Sequence, residues 1–220
     1  MEKIVILGTA HRLREPGKQS PDGRLKECIY SREIVESLRH KLNNAGVRTF
    51  VDFSPLDLEK TMQTPSVKLE RQRELGLRVN EVNEIAANFG KKNCIYVSIH
   101  CDASGSDGKW HDPNGWSVRV SPNASAESRA LADKLFKAAH DYNLRVRRPS
   151  PTQNYWEQSL YVLNRTICPA VLTENLFQDN LADVDFLLSD LGRHSIERLH
   201  FEGIMRYLDF MNEMEIIDNI

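Results

Sequence analysis

The first fifty residues constrain the fold most. Residues 3–7 (KIVIL) form a short, apolar, β-branched run, the mark of a buried strand. Residues 26–45 then place Ile34, Leu38 and Leu42, with Val35, on one helical stripe, and Gly46 stands where a helix C′ residue belongs. Residues 47–53 alternate Val47, Thr49 and Val51 against Arg48, Phe50 and Asp52, which predicts a second strand. Two strands joined by a helical crossover predict a parallel, right-handed pair. The alternation continues. Residues 67–89 predict a helix, with Leu69, Leu75, Val79, Val82 and Ala86 inward and Arg71, Arg73 and Arg78 on a solvated face. Strands follow at 95–99 and 116–120, then a helix at 124–142 carrying Leu131, Leu135, Ala138 and Tyr142. Strands at 160–163 and 170–174 and helices at 180–189 and 192–211 complete the pattern. The fold class is therefore α/β: one domain, with a mostly parallel central sheet of about six strands and helices on both faces. Residues 1–212 are expected to form it, and 213–220 a frayed tail.

A chain of 220 residues can bury a core without disulfide or metal staples. Its net charge of −2 carries no electrostatic footprint of nucleic-acid binding, and no apolar run reaches the length of a membrane span. Cys28, Cys94, Cys101 and Cys168 form no CxxC pair and read as reduced, mostly buried thiols. Cys101, beside His100, is the one placed for an adventitious metal contact. The chain opens Met1-Glu2-Lys3 and enters a strand at once, without the pattern of a secretory leader. It is thus expected to be made in the cytoplasm, any export requiring another route or a leader absent from this sequence.

Chemistry concentrates where strands end. His100 closes the apolar run 95–99, at the carboxyl edge where open α/β sheets hold their ligands. His11 lies in the loop after the first strand, and Glu27 opens the first helix. Loops after parallel strands share one edge, so these three can converge. Two imidazoles and one carboxylate with a fourth position open suit a catalytic Zn2+. A further carboxylate, Glu174, ends another buried strand, where it is costly unless paired, solvated or functional. Each residue has a plainer reading: Glu27 as a favourable charge at a helix N-terminus, His11 as an ordinary loop residue, Glu174 as a cap for the next helix. His40, His111, His140, His194 and His200 read as surface or packing residues, with His111 alone in a loop facing the site.

The order of motifs adds specificity. His11 precedes Glu15-Pro16-Gly17, and Leu25-Lys26-Glu27 follows. Ser98-Ile99-His100-Cys101-Asp102-Ala103 comes next, then Tyr161-Val162-Leu163-Asn164-Arg165-Thr166, then Pro169-Ala170-Val171-Leu172-Thr173-Glu174. In this arrangement the chain resembles the zinc-dependent N-acetylmuramoyl-L-alanine amidases, from about Lys3 to Leu208. The resemblance implies one Zn2+ per chain on His11, Glu27 and His100, with Glu174 as the catalytic carboxylate. It implies peptidoglycan as partner and the cell wall as place of action, as in phage or prophage lysis enzymes. A monomer is expected. The chain departs from the family in lacking glycines around His11, in Asp102 where the family has Asn, and in Asn175-Leu176-Phe177 after Glu174.

Trp110, Trp116, Tyr155 and Trp156 stand in or beside the edge loops, either for stacking on sugar or peptide or for packing. Arg145, Arg147 and Arg148 form a basic stretch, placed to meet stem-peptide carboxylates or simply solvated. The loop at 54–66 is positioned to cover the site. Two other functions fit the same residues: a zinc peptidase acting on the stem peptide, and a non-catalytic peptidoglycan-binding or phage structural protein.

Overall fold

The computed structural model describes residues 2–13, 15–52 and 66–218, with 215–218 as backbone only. The elements are β1 (Ile4–Thr9), α1 (Glu27–Asn44), β2 (Arg48–Val51), α2 (Val67–Phe89), β3 (Cys94–Asp102) and β4 (Ser117–Val120). After them come α3 (Ala126–Asp141), β5 (Trp156–Glu157), α4 (Tyr161–Arg165), β6 (Ala170–Phe177), α5 (Leu181–Leu188) and α6 (Asp190–Asp218). The six strands form one sheet in the order β2-β1-β3-β6-β4-β5. β2, β1, β3 and β6 run parallel, whereas β4 meets β6 antiparallel and β5 follows β4. Four of the five pairings are thus parallel, as the crossover pattern requires.

The strands are apolar on both sides because helices cover both faces. Val5, Leu7, Val97 and Ile99 pack with Ile34 and Leu38 of α1, Leu131 and Leu135 of α3, and Leu199 and Ile204 of α6. Ile4, Ile6, Tyr96 and Leu172 alternate onto the other face, against Val79 and Val82 of α2 and Val162 of α4. Gly8 has a specific use here. A Cβ on it would stand 2.5 Å from the Tyr96 hydroxyl, so only glycine lets that ring lie across β1.

Two expectations need correction, and one open alternative is decided. Residues 160–163 are not a strand: α4 occupies Tyr161–Arg165, and the strand of this region is the two-residue β5. Short apolar runs carry no periodicity that separates the two conformations. Arg78 is not solvated but buried, 3% exposed, in a cluster with Asp52 and Glu74. Trp116 is wholly buried, with its Nε1–H donated to Asn175 Oδ1 at 2.8 Å, so it packs and cannot stack on a ligand. Helical backbone runs to Asp218. The loop at 54–66 lies outside the described residues except for Ser66, whose hydroxyl caps α2 by accepting from Leu69 N.

Candidate metal centre and its neighbouring carboxylate

Glu27 is the first residue of α1 and is completely buried. Its backbone N–H donates to Lys18 O at 3.1 Å, tying the helix start to the loop that carries His11. His100 sits two residues before the end of β3, and Ala10 N, just after β1, donates to Ser31 Oγ of α1. The ends of β1, β3 and α1 are thereby locked together. Ligand atoms of His11, Glu27 and His100 all lie within 4.8 Å of one another. His100 Nδ1 is 3.0 Å from Glu27 Oε1, and His11 Nε2 is 3.4 Å from Glu27 Oε2. The two imidazole rings stand edge to face, 5.1 Å apart.

The charge balance of this pocket points inward. Cys101 N–H donates to Glu27 Oε1 at 3.2 Å, and Lys18 Nζ lies 3.6 Å from Oε2. Burial alone would raise the pKa of Glu27, but His11, His100 and Lys18 hold it well below the usual carboxylate range. Oε2 is nonetheless buried without a hydrogen-bond partner. An ionised, fully buried carboxylate with an oxygen left over, flanked by two imidazoles, is a fitting donor set for a divalent cation.

The glycine-poor loop around His11 pays for its geometry with a left-handed backbone at His11 itself, φ 42°. The conformation is held from outside: Arg78 Nη2 donates to His11 O at 3.1 Å. Arg78 is fixed in turn by Asp52 Oδ2 at 2.7 Å, Glu74 Oε1 at 3.1 Å and Thr9 Oγ1 at 3.0 Å. Arg12 pairs with Glu15 and Glu70, and Glu15 also takes Arg71, joining the same loop to the start of α2.

Glu174 lies directly opposite His100 in the β3–β6 register and opposite Ser117 on β4. It is not a cap: β6 continues to Phe177, and Asn180 caps α5. Burial and the nearby Asp102 push its pKa up to about 7, against the pull of Arg119 and His100. Arg119 Nε donates to Oε1 at 3.1 Å, while Oε2 is buried without a partner. Asp102 takes Arg119 Nη2 at 2.7 Å and Arg147 Nη1 at 2.9 Å on the same oxygen, so its carboxylate holds two guanidiniums.

The structure therefore brings together all four residues singled out from sequence and leaves His111 out. The His111 ring pairs with Asp107, and the backbone N–H of His111 donates to Asp179 O. Cys101 is buried on the opposite side of β3 from His100, among the residues packed beneath α1, and none of the four cysteines forms a disulfide. Arg119 and Arg78 were not legible as site residues. An arginine inside the otherwise apolar strand WSVRV was the available signal for the first.

Comparison with known proteins places this geometry. The family model described as N-acetylmuramoyl-L-alanine amidase matches residues 5–206, and the chain belongs to that family. It is 30% identical over 148 residues to an N-acetylmuramoyl-L-alanine amidase of Bacillus licheniformis, a match covering 66% of this chain and 51% of that protein. It is 28% identical over 123 residues to the endolysin of Bacillus phage SPP1, covering 56% of this chain and 43% of the endolysin. The chain thus spans about half the length of these curated relatives. Among solved structures, an N-acetylmuramoyl-L-alanine amidase from Clostridium difficile 630 superposes with a TM-score of 0.74 at 19% identity, covering 94% of this chain and 97% of that one. That likeness establishes the shared fold.

Proposed function

We propose that this chain is a zinc-dependent amidase that hydrolyses the bond between N-acetylmuramic acid and L-alanine in peptidoglycan. The observation that carries the reading is the buried cluster of His11, Glu27 and His100, with a Glu27 oxygen that makes no hydrogen bond and Glu174 in register beside it. Zinc bound there would supply a Lewis acid that polarises the scissile carbonyl and acidifies water. The chain's own residues do the rest. His11, Glu27 and His100 would hold the zinc, offering two imidazole nitrogens and one carboxylate. Glu174, buried and in register beside the cluster, takes the proton of the attacking water on Oε2 and returns it to the departing alanine nitrogen. All four groups come from one chain, so a monomer suffices. Its place of action is the cell wall. Among the described residues no helix is long and apolar enough to cross a membrane.

Digestion of purified wall tests the proposal. New amino termini should be L-alanine, released from glycan that keeps its lactyl groups. Termini at other stem residues would identify a peptidase instead. Wall bound without any new termini would identify a non-catalytic binder.

A further inference from the structure

We propose that Arg119 is a positioning residue that fixes the carboxylate of Glu174 by bridging it to Asp102. The inference rests on the assignment of Glu174 as the proton-transfer group. A lone carboxylate on a strand can rotate about its terminal torsion, a broad and roughly two-fold motion. Here one oxygen is pinned: Arg119 Nε donates to Glu174 Oε1 at 3.1 Å. The other end of the same guanidinium is pinned too, with Nη2 on Asp102 Oδ2 at 2.7 Å. Arg147 donates to that Asp102 oxygen from a second direction, 2.9 Å away, and its guanidinium lies over the Phe177 ring at 4.5 Å. Arg119 is 13% exposed in its side chain, so water competes little for these bonds.

The strand register sets this up. Ser117 of β4 faces Glu174, and Arg119, two residues on, faces Leu172, so Arg119 and Glu174 project on the same side of the sheet. A rigid planar fork can donate from Nε to one carboxylate and from Nη2 to another at once; an ammonium cannot hold that geometry. The result is a division of labour between the two oxygens of Glu174. Oε1 is anchored, and Oε2, buried and unpartnered, is left for the proton. Asp102 is the far anchor.

The test is steady-state kinetics on soluble muramyl-peptide fragments, with zinc content and circular dichroism as controls. Arg119→Met should lower kcat on the order of 10- to 100-fold, the cost of a misplaced catalytic group, with KM within about twofold and zinc content unchanged. Arg119→Lys keeps a cation but cannot bridge, so kcat should fall by at least about threefold and less than in the methionine variant. In a Glu174→Gln background Arg119→Met should change kcat by less than about twofold, because the group it positions is gone. Wild-type kcat in Arg119→Met overturns the proposal, as does an undiminished loss in the Glu174→Gln background. If Arg119→Met does not fold, Arg119→Lys decides, and wild-type kcat there overturns the bridging role. Should Glu174→Gln by itself retain wild-type kcat, the assignment of Glu174 fails and this proposal falls with it. A failure confined to the Arg119 variants leaves Glu174 standing.

Discussion

Replacing Arg78 with methionine should damage the protein in a way that depends on pH. The guanidinium is buried between Asp52, 0% exposed, and Glu74, 2% exposed. Methionine fills much of the volume but leaves two buried carboxylates without their cation. Breaking a buried pair from one side costs about 3–5 kcal/mol. For a domain of this size that lowers the melting temperature by on the order of 10 °C. Glu74 supplies the pH signature. Burial already raises its pKa, with Arg78 pulling it down. Without Arg78 the folded-state pKa moves further above the unfolded value. A carboxyl raised in this way favours the fold below its unfolded pKa, and that contribution is lost as pH climbs through the folded one. The penalty of Arg78→Met should therefore be smaller at pH 5 than at pH 8. His11 O loses its Nη2 donor as well, so zinc should be surrendered to a chelator about tenfold more readily, as when an outer partner of a ligand is removed. Urea denaturation at pH 5, 6.5 and 8, with a chelator competition at the highest pH, measures all of this. A penalty below about 1 kcal/mol at pH 8, or one that does not change with pH, would refute the reasoning.

Glu27→Gln should lose zinc and activity together, whereas Glu174→Gln should keep zinc and lose about 10²–10⁴-fold in rate; metal analysis beside wall digestion separates the two. In metal-stripped protein the carboxyl of Glu174, at about 7 instead of 4.5, favours the fold below pH 4.5 and loses that contribution as pH rises through 7. Glu174→Gln stripped of metal should thus be more stable than the parent at pH 8, by up to about 3 kcal/mol, and no more stable at pH 4, as read by thermal melts. Chelation should leave the far-ultraviolet circular dichroism intact, because two apolar clusters hold the sheet without metal; cooperative unfolding on chelation would make the site structural. Four thiols should titrate after denaturation without reductant. They should react slowly in the native state, where burial pushes Cys168 up to about 12 and Cys101 well above its ordinary value.

The long elements were legible because their periods are unambiguous. Residues 67–89 carry enough turns of a helical stripe to fix both ends, and α2 spans Val67–Phe89. His100 and Glu174 could be found because each closes a run that must be buried, where a polar side chain needs a reason. Three things stayed hidden. β5 and α4 are two and five residues long, too short for any period to register. Arg78 sits on a charged helix and reads as solvated; only the meeting of α2 with the end of β2 brings Asp52 to it and closes the site around both. Trp116 stands at the mouth of a polar loop, yet β4 inverts direction beside β6 and turns it into the core. The last two depend on contacts between segments far apart in sequence, which local pattern does not encode.

The central place of β6 has a consequence for how the molecule comes into being. β3 and β4 are successive strands, yet β6 lies between them, and it arrives some fifty residues after β4 has been made. Until then the sheet has a gap at its middle, and the long-range pairings that close it are the slow kind. His100 has no Glu174 opposite it, and Arg119 has no carboxylate from β6 to hold. A chain that had assembled only β1, α1 and β3, and with them the three-residue cluster, would still lack Glu174, the residue proposed to transfer the proton. On the proposed mechanism competence arrives with the closing strand, so partially folded forms of this chain should be inert toward the amide bond even when they hold metal.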